Sequence, residues 1–160
     1  MDITYYKTPI GIAKIVGDDN GIISVSVIDE DVNFTGSIPE SLQECVDQLK
    51  EYFQKDRTDF DIKLNPQGTD FQKKVWKELQ EIPFGKTISY KDQSNKMNAP
   101  KAIRAIASAN GKNPIWIIIP CHRVIGSDGS LTGYAGGIWR KKWLLEHENP
   151  THQTSLFVRL

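Results

Sequence analysis

Leu64-Asn65-Pro66-Gln67-Gly68-Thr69-Asp70-Phe71-Gln72 divides this 160-residue chain into two parts with different periods. Asn65-Pro66-Gln67-Gly68 interrupts any regular pattern, since Pro66 has no backbone N–H and Gly68 tolerates most backbone angles. Thr69 with Gln72 three residues on has the form of a capping box and opens a helix. Phe71, Val75, Trp76 and Leu79 then share one helical face. Upstream of the break the pattern alternates. Ile10, Ile12, Lys14 and Val16 flank Gly11 and Gly17, and Asp18-Asp19-Asn20-Gly21 reads as a turn. Ile22 to Ile28 follows as a β-branched strand, which predicts a hairpin. From Ser41, Leu42, Cys45, Val46, Leu49, Tyr52 and Phe53 recur at helical spacing, with Cys45 on the apolar stripe as an inert core thiol of raised pKa. A further short strand is predicted at Phe60-Asp61-Ile62-Lys63-Leu64.

Downstream the chain is mostly helical. Ile82-Pro83-Phe84-Gly85-Lys86 reads as a turn, and Thr87 or Ser89 can cap a short helix near Lys91 to Lys96. Asn98-Ala99-Pro100 breaks it, and Pro100 is placed to open the next helix through Ala102, Ile103, Ile106 and Ala109. Two short helices around a tight break have the outline of a helix-turn-helix. The fold expected is α/β of the α+β kind. Residues 1–66 form a small acidic domain of antiparallel sheet plus helix. Residues 67–150 form a mostly helical C-terminal domain with a winged-helix-like helix-turn-helix, and residues 151–160 form a tail with no functional reading.

A net charge of zero conceals a division. Residues 1–70 hold 6 Lys/Arg against 14 Asp/Glu, whereas residues 84–123 hold seven basic residues against Asp92 alone. Such asymmetry fits a polyanion-binding face on the second part, and equally a solvated lysine face. Apolar residues at 39% and charged residues at 25% describe a globular protein rather than a disordered one. The longest apolar run, Ile115 to Pro120, is too short to cross a bilayer, and Met1 to Lys7 lacks the pattern of a signal peptide. Two cysteines and three histidines (His122, His147, His152) show no metal-ligand spacing, so neither a metal nor another cofactor is expected.

The chemistry concentrates where that apolar run ends, at Pro120-Cys121-His122-Arg123. A cysteine nucleophile needs its thiolate, which cationic neighbours and an orienting base favour. Glu148 can supply the carboxylate that orients His122. The same residues are also compatible with a small buried cysteine at a strand end, and they do not by themselves decide between the two.

Pro120-Cys121-His122-Arg123-Val124 resembles the active-site signature of the O6-alkylguanine-DNA alkyltransferases. Phe84-Gly85-Lys86-Thr87-Ile88-Ser89-Tyr90, Pro100-Lys101-Ala102-Ile103-Arg104-Ala105 and Asn110-Gly111-Lys112-Asn113-Pro114 resemble further family motifs. So do Gly126 to Tyr134, Gly136-Gly137 and Lys142 to Glu148, all in the family's order. The resemblance runs from about Phe71 to Glu148, with a looser fit before it.

The resemblance implies a DNA repair protein that flips O6-alkylguanine out of duplex DNA and moves the alkyl group irreversibly to its own cysteine. O6-methylguanine is the lesion implied, with O4-methylthymine as a further candidate. Cys121 is then the acceptor, His122 draws off its proton through a water with support from Glu148, and Asn113 holds the adjoining segment. Tyr90 donates toward the departing guanine. Arg104 enters the stack where the base was, and Lys101, Ala105, Ser108 and Arg123 join it at the DNA. Trp116, Val124, Tyr134 and Ala135, with Tyr90, line the pocket. Binding of double-stranded DNA should be largely independent of sequence, by a monomer, with no membrane partner and no cofactor. The location implied is the cytoplasm of a prokaryote or the nucleus of a eukaryote.

Two departures stand out. Trp116 occupies a position where the family commonly has proline, and Asp92-Gln93-Ser94 is more polar than usual at the start of the first recognition helix. Three rival readings are an alkyltransferase-like lesion binder, a helix-turn-helix regulator and a thiol redox protein. Cys121 opposes the first, because those relatives lack the acceptor cysteine. The regulator would bind one DNA sequence tightly. The redox reading lacks a resolving cysteine.

Overall fold

The structure, a computed structural model, describes residues 1–33 and 36–151; the tail from His152 onward lies outside them. The described chain forms two compact units. The first is Met1–Gln67 together with Pro114–Ile118, and the second is Gly68–Asn113 together with the chain from Ile119. No helix among the described residues is long and apolar enough to cross a membrane.

In the first unit three strands, β1 (Asp2–Thr8), β2 (Gly11–Asp18) and β3 (Gly21–Ile28), form an antiparallel sheet in the order β1-β2-β3. The hairpin of β2 and β3 turns at Asp19-Asn20, where the Asn20 N–H donates to Asp18 Oδ1 at 2.8 Å. Strand β1 carried no turn signal of its own in the sequence. Alternation along β2 buries Ala13, Ile15 and Gly17 beneath helix α1 (Glu40–Phe53), which contributes Leu42, Cys45, Leu49 and Tyr52. A Cβ at Gly17 would stand 2.8 Å from the Gly21 carbonyl and 3.2 Å from Leu42, so the residue there has to be glycine. Cys45 is buried in this core, and burial pushes its thiol up to about 12.

Residues 60–64 do not form the strand expected of them. Only Leu64 pairs, in a single parallel bridge to Ile22, flanked by bonds from Ile22 N–H to Lys63 O and from Asn65 N–H to Ile22 O. Ile115 makes a second lone bridge, to Val25: the Val25 N–H donates to Pro114 O and the Trp116 N–H to Val25 O. That pairing attaches Pro114–Ile118 to the first unit although its sequence neighbours lie in the second.

In the second unit, α2 (Asp70–Leu79) opens on the capping box, with Gln72 N–H donating to Thr69 Oγ1 at 3.1 Å and Thr69 N–H to Gln72 Oε1 at 2.9 Å. Val75, Trp76 and Leu79 are buried, whereas Phe71 on the same stripe is exposed. Periodicity assigns a face but not how far along the helix that face is covered. A Cβ at Gly68 would sit 2.5 Å from the Trp76 ring, so the linker glycine is required by contact rather than by backbone freedom.

Helix α2 packs on α4 (Ile103–Gly111), fixed by a bond from Trp76 Nε1 to Ala109 O at 2.8 Å. Helix α3 (Tyr90–Lys96) is capped by Ser89 with Asp92. It is tied to α4 by a buried reciprocal amide pair: Gln93 Nε2 donates to Asn110 Oδ1 at 2.9 Å, and Asn110 Nδ2 to Gln93 Oε1 at 2.7 Å. The polar Asp92-Gln93-Ser94 run is thus accounted for as a cap, an interhelical bond and a buried serine. Helix α4 starts at Ile103, with Pro100 in the preceding turn rather than at the first helical position. The strands of this unit are two short parallel partners, β4 (Ile88–Ser89) and β5 (Val124–Ile125), and α5 (Ile138–Glu148) closes it.

Candidate active site

Two tight turns precede the cysteine. The Ile118 N–H donates to Trp116 O across Ile117, whose φ of 70° is strained for a β-branched residue. The Cys121 N–H donates to Ile119 O at 2.9 Å across Pro120. Cys121, His122 and Arg123 then make a single 3-10 turn. Asn113 Nδ2 donates to the Ile119 carbonyl at 2.7 Å and lies 3.4 Å from Cys121 Sγ, so one amide holds both the turn and the sulfur. Burial pushes the Cys121 thiol up, while the Asn113 bond and the charge of Lys141 oppose that rise.

The next two residues converge on one carboxylate. His122 Nε2 lies 2.6 Å from Glu148 Oε2, and Arg123 makes a two-pronged pair, Nε to Oε1 at 2.8 Å and Nη2 to Oε2 at 3.1 Å. Arg123 Nη1 also donates to Ile82 O at 2.6 Å, which anchors the turn before β4. Burial alone would raise the Glu148 carboxyl, but His122 and Arg123 outweigh it and hold the group well below the usual carboxylate range. Burial pushes His122 below its ordinary value, aided by Arg123 and Lys141 and opposed by Glu148. A neutral imidazole that donates from Nε2 keeps a lone pair on Nδ1, and that atom is buried without a hydrogen-bond partner among the described residues.

Tyr90, the first residue of α3, donates from its hydroxyl to Thr132 O at 3.3 Å. Burial raises its pKa, and the charge of Cys121 adds to the rise. The same carbonyl accepts from Lys141 Nζ at 3.2 Å, and that ammonium stands 5.8 Å from the Tyr90 ring centre. Lys141 is 1% exposed, and burial pushes its pKa down to about 8 against the pull of Cys121. The sequence reading missed this residue. A signal was present: Lys141 stands three, four and seven positions before Leu144, Leu145 and Glu148, on the face of α5 that turns inward.

The remaining candidates separate by position. Lys101, Arg104, Ala105 and Ser108 are all exposed, the last three on one face of α4, while Ile106, Ala109 and Asn110 face inward. Arg123 does not share that surface. It is buried and engaged by Glu148 and Ile82, which corrects its assignment to the DNA contacts. Val124 is buried in β5 opposite Ile88. Tyr134 is half-buried and Ala135 exposed, in the turn closed by the bond from Gly137 N–H to Tyr134 O that leads into α5. Trp116 is buried in the first unit.

Residues 70–150 match the family model described as the DNA-binding domain of 6-O-methylguanine DNA methyltransferase, and residues 1–66 match its ribonuclease-like domain. The methylated-DNA–protein-cysteine methyltransferase of Mycobacterium tuberculosis H37Rv is 44% identical over 152 residues, covering 90% of this chain and 92% of its own. That of Methanosarcina acetivorans is 42% identical over 155 residues, with coverage of 92% and 98%. Among solved structures, M. tuberculosis O6-methylguanine methyltransferase superposes with a TM-score of 0.83 at 42% identity, covering 94% of both chains. A crystal structure of the M. tuberculosis protein in complex with DNA gives 0.82 at 43% identity, covering 91% of both. On sequence and fold, this chain belongs to the methylated-DNA–protein-cysteine methyltransferase family.

Proposed function

We propose that this protein repairs O6-alkylguanine, O6-methylguanine first, by moving the alkyl group from the base to the sulfur of Cys121. The observation that carries the reading is one three-residue turn. It sets a sulfur held by Asn113 beside an imidazole locked to a buried carboxylate.

Cys121 at rest is a thiol, because burial opposes its charge. Its proton leaves to His122 Nδ1 through a water, and Glu148 compensates the imidazolium so formed. The sulfur lone pair forms the S–C bond while the C–O6 bond breaks, and its electron pair stays on the guanine. Tyr90 donates a proton toward that guanine and is reprotonated at the expense of His122, so the net result is thioether plus intact guanine. Nothing restores the thiol, and each molecule acts once.

The second unit carries both DNA binding and chemistry in this reading. Its exposed stripe of Arg104, Ala105 and Ser108, with Lys101 just ahead of α4, combines charge with small residues that permit close approach to the duplex. Arg104 fills the gap left by the flipped base, and Val124, Tyr134 and Ala135 line the pocket. The protein acts as a monomer on duplex DNA without reading sequence.

The test is intact-mass analysis and peptide mapping after mixing with duplex DNA containing O6-methylguanine. One methyl group on Cys121, saturating at one per protein, is the expected result. Cys121→Ala should abolish transfer and retain DNA binding. Transfer by that variant, or a methyl group elsewhere, would overturn the assignment.

A further inference from the structure

Helix α3 carries Tyr90, yet it is not seated by an apolar stripe of its own. Its buried residues are Gln93 and Ser94, and the Ser94 hydroxyl donates back to Lys91 O within the helix at 2.8 Å. Gln93 reaches across instead. It is 2% exposed, and its amide pairs reciprocally with that of Asn110, which is 5% exposed on α4. Stability alone does not call for two buried amides there, because an apolar pair of the same shape can serve about as well. What the hydrogen bonds add is direction: they fix the register of two helices whose apolar surfaces could slide.

Both ends of this pair lead to the reacting groups, all within the second unit. Tyr90 stands three positions before Gln93, on the same face of α3. At the other end the Asn113 N–H donates to Asn110 O at 3.3 Å, and the Asn113 side chain holds the Ile119 carbonyl and the Cys121 sulfur. A continuous run of bonds thus joins the helix of the proton donor to the nucleophile. The guanine has to meet both at once, since the sulfur attacks the carbon on O6 while Tyr90 donates to the ring. We propose that Gln93 and Asn110 are positioning residues for alkyl transfer: their paired amides set the distance between the Tyr90 hydroxyl and the Cys121 sulfur, so that donor and nucleophile close on one base together. The inference rests on Cys121 being the acceptor and Tyr90 the donor.

The test compares two reactions of one variant. Gln93→Met together with Asn110→Leu replaces both amides by apolar side chains of similar volume, and its urea midpoint should stay near that of the wild type. Its first-order rate of methyl transfer at saturating O6-methylguanine duplex should fall by about tenfold or more, with the half-saturating DNA concentration within about twofold. Carboxamidomethylation of Cys121 by iodoacetamide, read by peptide mapping so that Cys45 does not contribute, should be unchanged. Iodide leaves without a proton donor, and Asn110 O, a backbone atom, still holds Asn113. In a Tyr90→Phe background the apolar pair should cost little further, because the donor it positions is gone. An unchanged transfer rate overturns the inference. So does an equal loss with iodoacetamide, or a loss undiminished in Tyr90→Phe.

A second measurement keeps both amides in place. In Cys121→Ala bound to duplex containing O6-methylguanine, the side-chain amide protons of Gln93 and Asn110 should exchange with water about tenfold or more slowly than those of exposed Gln and Asn, read by NMR. Exchange at the exposed rate in that complex overturns the inference even if the apolar pair does not fold. Mapping the wild type after reaction separates the two ideas. A methyl group on Cys121 beside an unchanged rate in the apolar pair refutes the positioning alone, whereas absence of methyl from Cys121 refutes the acceptor reading and this inference with it.

Discussion

Glu148 is a single carboxylate shared by several donors. Its oxygens take His122, both prongs of Arg123 and, at 3.5 Å, the Gly85 N–H. Removing the charge leaves a buried guanidinium without its counter-ion, so Glu148→Gln should cost about 2–4 kcal/mol in urea unfolding and slow methyl transfer as well. The same residue sets an acid limit. The pKa values of Glu148 and His122 are both lowered in the folded protein, so below their ordinary values the unfolded chain binds more protons. Their stabilisation is fully present above about pH 7. It declines first below about pH 6.5 as unfolded His122 protonates, and again below about pH 4.3 as the unfolded carboxyl does. Thermal melts across this range should show both steps in the wild type, and only the upper one should remain from this pair in Glu148→Gln.

At the scale of elements, much of this fold is written locally. The Thr69–Gln72 and Ser89–Asp92 caps announce α2 and α3 within four residues each, and the turn at Asp18 to Gly21 announces its hairpin. Features that depend on distant partners were not legible. Strand β1 exists because β2 lies beside it, and Pro114–Ile118 belongs to the first unit through one bridge to Val25. Arg123 has the composition of a DNA contact, but its direction is set by Glu148, 25 residues away. Lys141 resembles any basic residue of a surface helix until the burial of its face is known. Helix α4 supplies the element-scale prediction. Arg104 is exposed on its outer stripe, so Arg104→Ala should depress transfer from duplex DNA by about tenfold or more while leaving transfer from free O6-methylguanine within about twofold. Rates on the two substrates check it, and equal losses would remove the intercalating role.

For the whole molecule, the charge is neutral in sum and divided in place. Residues 1–70 carry a net of −8, and residues 84–123 a net of +6. Affinity for duplex DNA should therefore come from the basic stretch and be lost with salt despite the zero net charge. With three or four phosphate contacts, raising salt from about 50 to 150 mM should weaken binding about 20- to 50-fold, with little dependence on DNA sequence. A titration by fluorescence anisotropy at several salt concentrations measures the slope; a flat response would place the contacts elsewhere.

The carboxylate that completes the active site also dates its assembly. His122 and Glu148 lie 26 positions apart in the chain. A ribosome adding about 5–20 residues each second therefore releases the cysteine turn one to several seconds before the partner that orders it. Through that interval the nascent chain has its nucleophile but neither a locked imidazole nor a paired guanidinium. A protein that can react only once is thus kept from reacting until α5 has been made.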